Sequence, residues 1–103
     1  MLEINTDNFA ELMSSEMPLV IDFWAEWCAP CKAIAPMMEE FAHEYKDRVN
    51  IGKCDVEENN DLAVEFKIRN VPTILFIQGG EVIEKQVGAV AREAITSKIN
   101  KLL

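Results

Sequence analysis

Leu19-Val20-Ile21-Asp22-Phe23-Trp24-Ala25-Glu26-Trp27-Cys28-Ala29-Pro30-Cys31-Lys32 is the stretch whose reading decides the fold. Its first six residues form a compact, almost wholly apolar run, which predicts a buried strand. From Lys32 to Tyr45 the apolar residues Ile34, Met37, Met38, Phe41 and Tyr45 recur at helical spacing. The cysteine pair therefore sits where a strand hands over to a helix. Free backbone N–H groups and the positive end of the helix dipole stabilise an anion at such a place. A thiol there is expected to have a depressed pKa and to be richer in thiolate, the nucleophilic form. Pro30 suits the first helical turn, where its missing N–H costs nothing. Pro36 lies inside the same predicted helix and is expected to kink it.

Working outward, Leu2 to Ile4 reads as a short strand. Asn8 with Glu11 resembles a capping box that opens a helix carrying Phe9, Leu12 and Met13 on one side. Val49 to Cys54 reads as a strand. The polar segment Asp55 to Asn60 follows, with Asn60 as N-cap of a helix bearing Leu62, Ala63 and Phe66. Val71-Pro72-Thr73 precedes the apolar run Ile74–Ile77, and Gly79-Gly80 is a two-residue hairpin signal before the returning strand Glu81–Val87. Gly88 closes that strand, and a last helix aligns Ala91, Ile95, Ile99 and Leu102. The order β-α-β-α-β-α-β-β-α implies an α/β fold whose mixed sheet has helices on both faces. Functional loops of open α/β sheets lie at the carboxyl ends of strands, where the cysteine pair falls.

The 103 residues suit one domain, 1–103, with no repeat or low-complexity segment. A net charge of −8 argues against nucleic acid and anionic membrane as partners, because phosphate binding needs clustered Lys and Arg. No basic n-region precedes an apolar core, and no run approaches the ~20 apolar residues of a membrane span. A cytoplasmic location is expected, and three cysteines fit a reducing compartment better than a disulfide scaffold would.

Cys28 and Cys31 can be read as a redox pair or as half of a metal site. Tetrahedral zinc needs four ligands, and the other candidates are Cys54 and His43. His43 lies fifteen residues along the same predicted helix, roughly 22 Å from Cys28, which removes it both as a ligand and as a base for the thiol. Redox chemistry is the stronger reading of C-x-x-C beside a βαβ pattern. Asp22 sits mid-strand on the face of Val20 and Trp24. A buried carboxylate has a raised pKa and could serve as base for a thiol, or it could simply pair with Lys53 in the neighbouring strand; the residues alone leave both open. Cys54, on the opposite face from Lys53, reads as a small hydrophobe. Pro72 could be cis or trans. Of the two tryptophans, Trp27 beside the cysteine turn is expected to be the exposed one.

Together these residues resemble the thioredoxin family over nearly the whole chain. The resemblance is carried by Val20 through Cys28, by Pro30-Cys31-Lys32, and by Val71-Pro72-Thr73 and Gly88 downstream. It implies the thioredoxin fold, a five-stranded mixed β-sheet flanked by four α-helices, and a monomeric thiol–disulfide oxidoreductase that reduces protein disulfides. It also implies that Cys28 and Cys31 form the redox disulfide, that Pro72 is cis and faces them, and that Asp22 acts as base with Lys53 beside it. Substrate strands are implied to lie across Trp27, Ala29, Pro30, Val71, Pro72 and Gly88. No cofactor or metal is implied in the chain; electrons are implied to come from NADPH through a separate flavoprotein, thioredoxin reductase, and to pass to disulfide-containing client proteins. Thioredoxins usually carry Gly-Pro between the cysteines, whereas this chain has Ala29-Pro30, a difference that tunes the balance of thiolate and disulfide. An oxidant or isomerase, or a binding module that does not turn over, are the competing functions on the same fold.

Overall fold

The computed structural model describes residues 1–89 and 91–103. In chain order these form β1 (Leu2–Glu3), α1 (Phe9–Ser14), β2 (Leu19–Trp24), α2 (Ala29–Glu44), β3 (Asn50–Asp55), α3 (Asn60–Glu65), β4 (Thr73–Gln78), β5 (Glu81–Val87) and α4 (Arg92–Asn100). The five strands make one mixed sheet in the order β1-β3-β2-β4-β5. β1 and β2 each pair parallel with β3, while β4 runs antiparallel to both β2 and β5. β2 is the central strand and is buried from Leu19 to Phe23, as its apolar run requires.

Alternation along the strands divides the core in two. Val20, Ile51, Ile74 and Phe76 face α2 and α4, meeting Ile34, Met38, Phe41, Ile95 and Ile99. Leu19, Ile21, Phe23, Leu75, Ile77 and Cys54 face the other way, against Leu62 of α3 and the half-buried Phe9, Leu12 and Met13 of α1. Phe23 and Phe66 meet there at 6.0 Å between ring centroids. Gly52 of β3 allows the close approach of β1. A Cβ at that position would lie 2.6 Å from Ile4 Cδ1 and 2.8 Å from the Leu2 carbonyl oxygen.

Local sequence signals hold in some places and yield to tertiary contacts in others. Gly79 and Gly80 both take positive φ, +60° and +77°, matching the two-residue hairpin turn. The β4–β5 register shifts once, because Phe76 pairs with Glu84 but Ile77 pairs with Val82, leaving Ile83 as a bulge. The Asn8–Glu11 capping box does not form. Instead Asn5 Oδ1 accepts from the N–H groups of Asp7 and Asn8, and Asn8 Nδ2 donates to the Glu3 carbonyl. Asn59, not Asn60, is the N-cap of α3, and its side-chain oxygen accepts from the Thr6 N–H rather than from its own helix. Ala91 lies exposed ahead of α4, whose buried stripe is Ile95, Ile99 and Leu102. α2 runs unbroken through the exposed Pro36.

α3 ends in a Schellman arrangement: the Ile68 N–H reaches the Ala63 carbonyl at 2.8 Å and the Lys67 N–H reaches that of Val64 at 3.1 Å. Lys67 occupies the left-handed position of this cap, with φ +56°, where glycine is the usual occupant. A side chain with a Cβ costs on the order of 1 kcal/mol there.

Candidate active site

The site is assembled at the carboxyl end of β2, where the chain leaves the sheet and starts α2. Cys28 is the N-cap of α2, with extended backbone (φ −91°, ψ 103°), and its Sγ accepts a hydrogen bond from the Cys31 N–H at 3.2 Å. The Cys28 N–H is held by the Ala25 carbonyl at 3.1 Å, and the Cys28 carbonyl accepts from Lys32 at 3.2 Å. Ala29 and Pro30 form the first exposed helical turn, so Pro30 uses a position with no intrahelical donor to lose. Cys28 and Cys31 are joined as a disulfide, with Cα atoms 5.3 Å apart. Both are buried, at 3% and 2% exposure, so accessibility of the oxidised pair does not separate their roles. Their surroundings do.

Cys31 lines a small cavity of about 70 Å³ together with Asp22, Trp24, Lys32, Ala35 and Lys53. Asp22 is 3% exposed, and its Oδ1 has no hydrogen-bond partner; the same is true of Trp24 Nε1. Burial raises the Asp22 pKa from its ordinary 3.8 to about 7, against the lowering pull of the Lys53 charge. A carboxyl that exchanges its proton near neutrality beside a thiol is suited to acid–base work.

Lys53, the neighbouring-strand residue considered as a partner for Asp22, lies opposite it in the β2–β3 register. It is half-buried, and its ammonium makes an ion pair with Glu3 at 3.6 Å and lies 5.1 Å from the centre of the Trp24 ring. The simple Asp22–Lys53 ion pair is thus replaced by a longer-range attraction, because Lys53 reaches the sheet edge where Glu3 of β1 waits.

On the outer side, Trp27 is 68% exposed. It lines a groove of about 250 Å³ with Val56, Ile68, Arg69, Asn70 and Val71. Val71 also packs against the patch formed by Ala25, Cys28 and Cys31. The Val71–Pro72 peptide is cis, Pro72 is buried, and the Pro72 carbonyl accepts from the Gly88 N–H at 2.8 Å. The Pro72 and Gly88 segments are therefore tied together next to the groove. Ala29 and Pro30 are exposed on its cysteine side. Among the described residues the Val71 N–H and C=O make no hydrogen bond.

His43 is exposed far along α2, on a larger concavity of about 470 Å³ that contains none of the predicted site residues. Cys54 is fully buried, and desolvation, together with Asp55, Asp61 and Glu3, pushes its thiol up to about 12. It is inert as a nucleophile at neutral pH. Among the described residues no three His, Cys, Asp or Glu side chains converge to hold a metal ion. Sequence reasoning passed over Trp24 as a cavity wall and Arg69 and Asn70 as groove walls. The signal for Trp24 was its place two residues from Asp22 on one strand face; for the other two it was adjacency to Val71.

The thioredoxin family model matches residues 1–101. The chain is 46% identical to thioredoxin C-2 of Corynebacterium nephridii over 101 residues, covering 95% of this chain and 94% of that one. It is 40% identical over 101 residues to the thioredoxin of Haemophilus influenzae, covering 97% and 94% of the two chains. Over 95 residues it is 38% identical to the bifunctional thioredoxin reductase/thioredoxin of Mycobacterium leprae, covering 92% of this chain and 21% of that protein. With a five-stranded mixed sheet, four helices and a closed cysteine pair at the start of α2, the chain belongs to the thioredoxin family of thiol–disulfide oxidoreductases.

Proposed function

We propose that Cys28 is the attacking thiol and Cys31 the resolving thiol of this protein disulfide reductase. The observation that carries the assignment is the asymmetry of their surroundings. Cys28 caps α2 and accepts the Cys31 N–H, an arrangement that favours a thiolate once the pair is reduced. Cys31 instead lines a small cavity with Asp22. Cys28 Sγ bonds to one sulfur of a client disulfide and expels the other as a thiolate. Cys31 passes its proton to Asp22 and attacks Cys28 Sγ, which releases the second client sulfur. Two electrons pass from the pair to the client, leaving a client dithiol and the Cys28–Cys31 disulfide. Lys53 keeps the Asp22 carboxyl ionisable by opposing the effect of its burial.

The client backbone lies in the groove between Trp27 and Val71, with Ala29, Pro30, Pro72 and Gly88 around the cysteines. Free hydrogen-bonding groups on Val71 support strand addition at that residue. The Gly88 N–H is already engaged by the Pro72 carbonyl, so Gly88 meets the client through its other atoms. For the return of electrons we propose a separate flavoprotein thioredoxin reductase drawing on NADPH, with no cofactor held by this chain. Support comes from the relative whose printed name joins a reductase to a thioredoxin. A reducing compartment, the cytoplasm, suits a pair that must be restored to the dithiol.

The test is a trapping experiment. Cys31→Ser, incubated with a disulfide-bonded client, should accumulate a mixed disulfide through Cys28, located by mass spectrometry. Accumulation in Cys28→Ser instead would reverse the two roles. A redox titration of the wild-type pair should place it below the glutathione poise of the cytosol; a value well above it would make the protein an oxidant or isomerase.

A further inference from the structure

Beside the redox groove lies a second concavity of about 270 Å³, lined by Lys67, Arg69, Asn70, Thr73, Lys85 and Val87. Three cations converge there in a chain whose net charge is −8, and no carboxylate lines the pocket. Among the described residues Lys67, Arg69 and Lys85 make no ion pair, whereas Lys32, Lys53, Arg92 and Lys101 each do. The three come from separate places in the fold. Lys67 stands at the left-handed end of α3, Arg69 in the loop before Pro72, and Lys85 on β5 opposite Leu75. The loop is tied down, because Thr73 Oγ1 donates to the Asn70 carbonyl at 2.5 Å. Lys67 keeps a lysine at a backbone position that favours glycine, which directs one of the charges to the pocket rim.

We infer that this pocket recognises acidic side chains next to the client disulfide, so that the protein selects clients whose cysteines are flanked by Asp or Glu. The inference rests on the reductase reading and names a substrate class for it. Continuity with the groove argues for a client segment as the occupant. Arg69 and Asn70 line both concavities. Successive residues of an extended chain advance about 3.3 Å, so side chains within a few residues of a cysteine bound at Val71 come within reach of the three cations. The overall negative charge repels acidic partners elsewhere on the surface, which makes this spot the favourable approach for them.

The test uses two disulfide peptides that differ only in having two Asp or two Asn beside the cysteine, reduced in single turnover by pre-reduced protein. At low ionic strength wild type should reduce the Asp peptide about fivefold faster than the Asn peptide, a preference that fades as salt rises. The double substitution Lys67→Gln with Lys85→Gln should abolish the preference and leave the rate on the Asn peptide unchanged. The charge-keeping pair Lys67→Arg with Lys85→Arg should retain it, which separates charge from damage to the fold. Equal preference in wild type and in the Gln variant, or none in wild type, would overturn the inference. Failure of wild type to reduce either peptide would overturn the reductase reading on which it rests.

Discussion

One strand, β2, presents two different interiors. On the face toward α1 and α3 its Leu19, Ile21 and Phe23 join an apolar cluster in which the thiol of Cys54 is fully buried and raised to about 12. On the face toward α2 its Asp22 and Trp24 line a cavity with Cys31 and Lys53, and the Asp22 carboxyl is raised only to about 7. Burial alone therefore does not make a site. Cys54 is desolvated among neighbours that give it nothing to react with and no cation to draw out its proton. Asp22 is desolvated beside a cation, a small cavity and a redox-active sulfur. The first face holds the fold together; the second carries a buried carboxyl whose cost the proposed chemistry would use.

The sharpest way to break this contrast is to damage each face in turn. Phe23→Ala removes a fully buried ring that packs on Phe66, and should cost about 3–5 kcal/mol of stability in denaturant unfolding. The fraction still folded should keep its pH–rate profile. A loss of the profile in that fraction would mean the faces are not independent.

Asp22→Asn acts with the opposite sign. The folded state holds the Asp22 proton up to about pH 7, whereas an ordinary carboxyl releases it near 3.8. Between those values the folded state binds more protons than the unfolded one, so stability falls as pH rises across the window and stays low above it. Replacing the carboxyl removes that penalty. The variant should gain on the order of 2–4 kcal/mol at pH 8 relative to wild type, with the gain vanishing below about pH 4. Chemical denaturation at the two pH values measures it; a gain that is the same at both would assign the effect to packing instead.

Cys54→Ala should have the smallest effect of the three. It removes one sulfur from the apolar face, at a cost of about 1 kcal/mol. Client reduction and its pH dependence should be unaltered. A changed redox rate would give Cys54 a role that its burial denies it.

The sequence was most legible where one physical signal dominated. The apolar run Leu19–Trp24 and the helical spacing from Ile34 to Tyr45 placed the cysteine pair correctly, because long periodic segments override local competition. Lys53 was legible as a candidate neighbour of Asp22, while their direct opposition is set by the β2–β3 register. Shorter signals were overruled by partners distant in sequence. The Asn8 side chain turned to Glu3 instead of capping its helix, and Asn59 turned to Thr6, 53 residues away. The bulge at Ile83 falls where the adjacent apolar pair Val82-Ile83 interrupts the alternation of β5. Lys53 was drawn to Glu3 and Trp24 because β1 joins the sheet beside β3, a neighbour that strand patterns do not name. The meeting of Lys67, Arg69 and Lys85 had the same origin: α3, a loop and β5 come together only after folding.

The resolution step tests the division of labour between Cys31 and Asp22 most directly. Its rate would be followed by stopped flow as a preformed Cys28–peptide mixed disulfide breaks down, from pH 5 to 9 in wild type and in Asp22→Asn. Wild type should accelerate through an inflection near pH 7, where the Asp22 carboxyl ionises, and the variant should be slower at neutral pH and lack that inflection. An identical profile in both proteins would contradict the role of Asp22 and leave it as a structural carboxyl only.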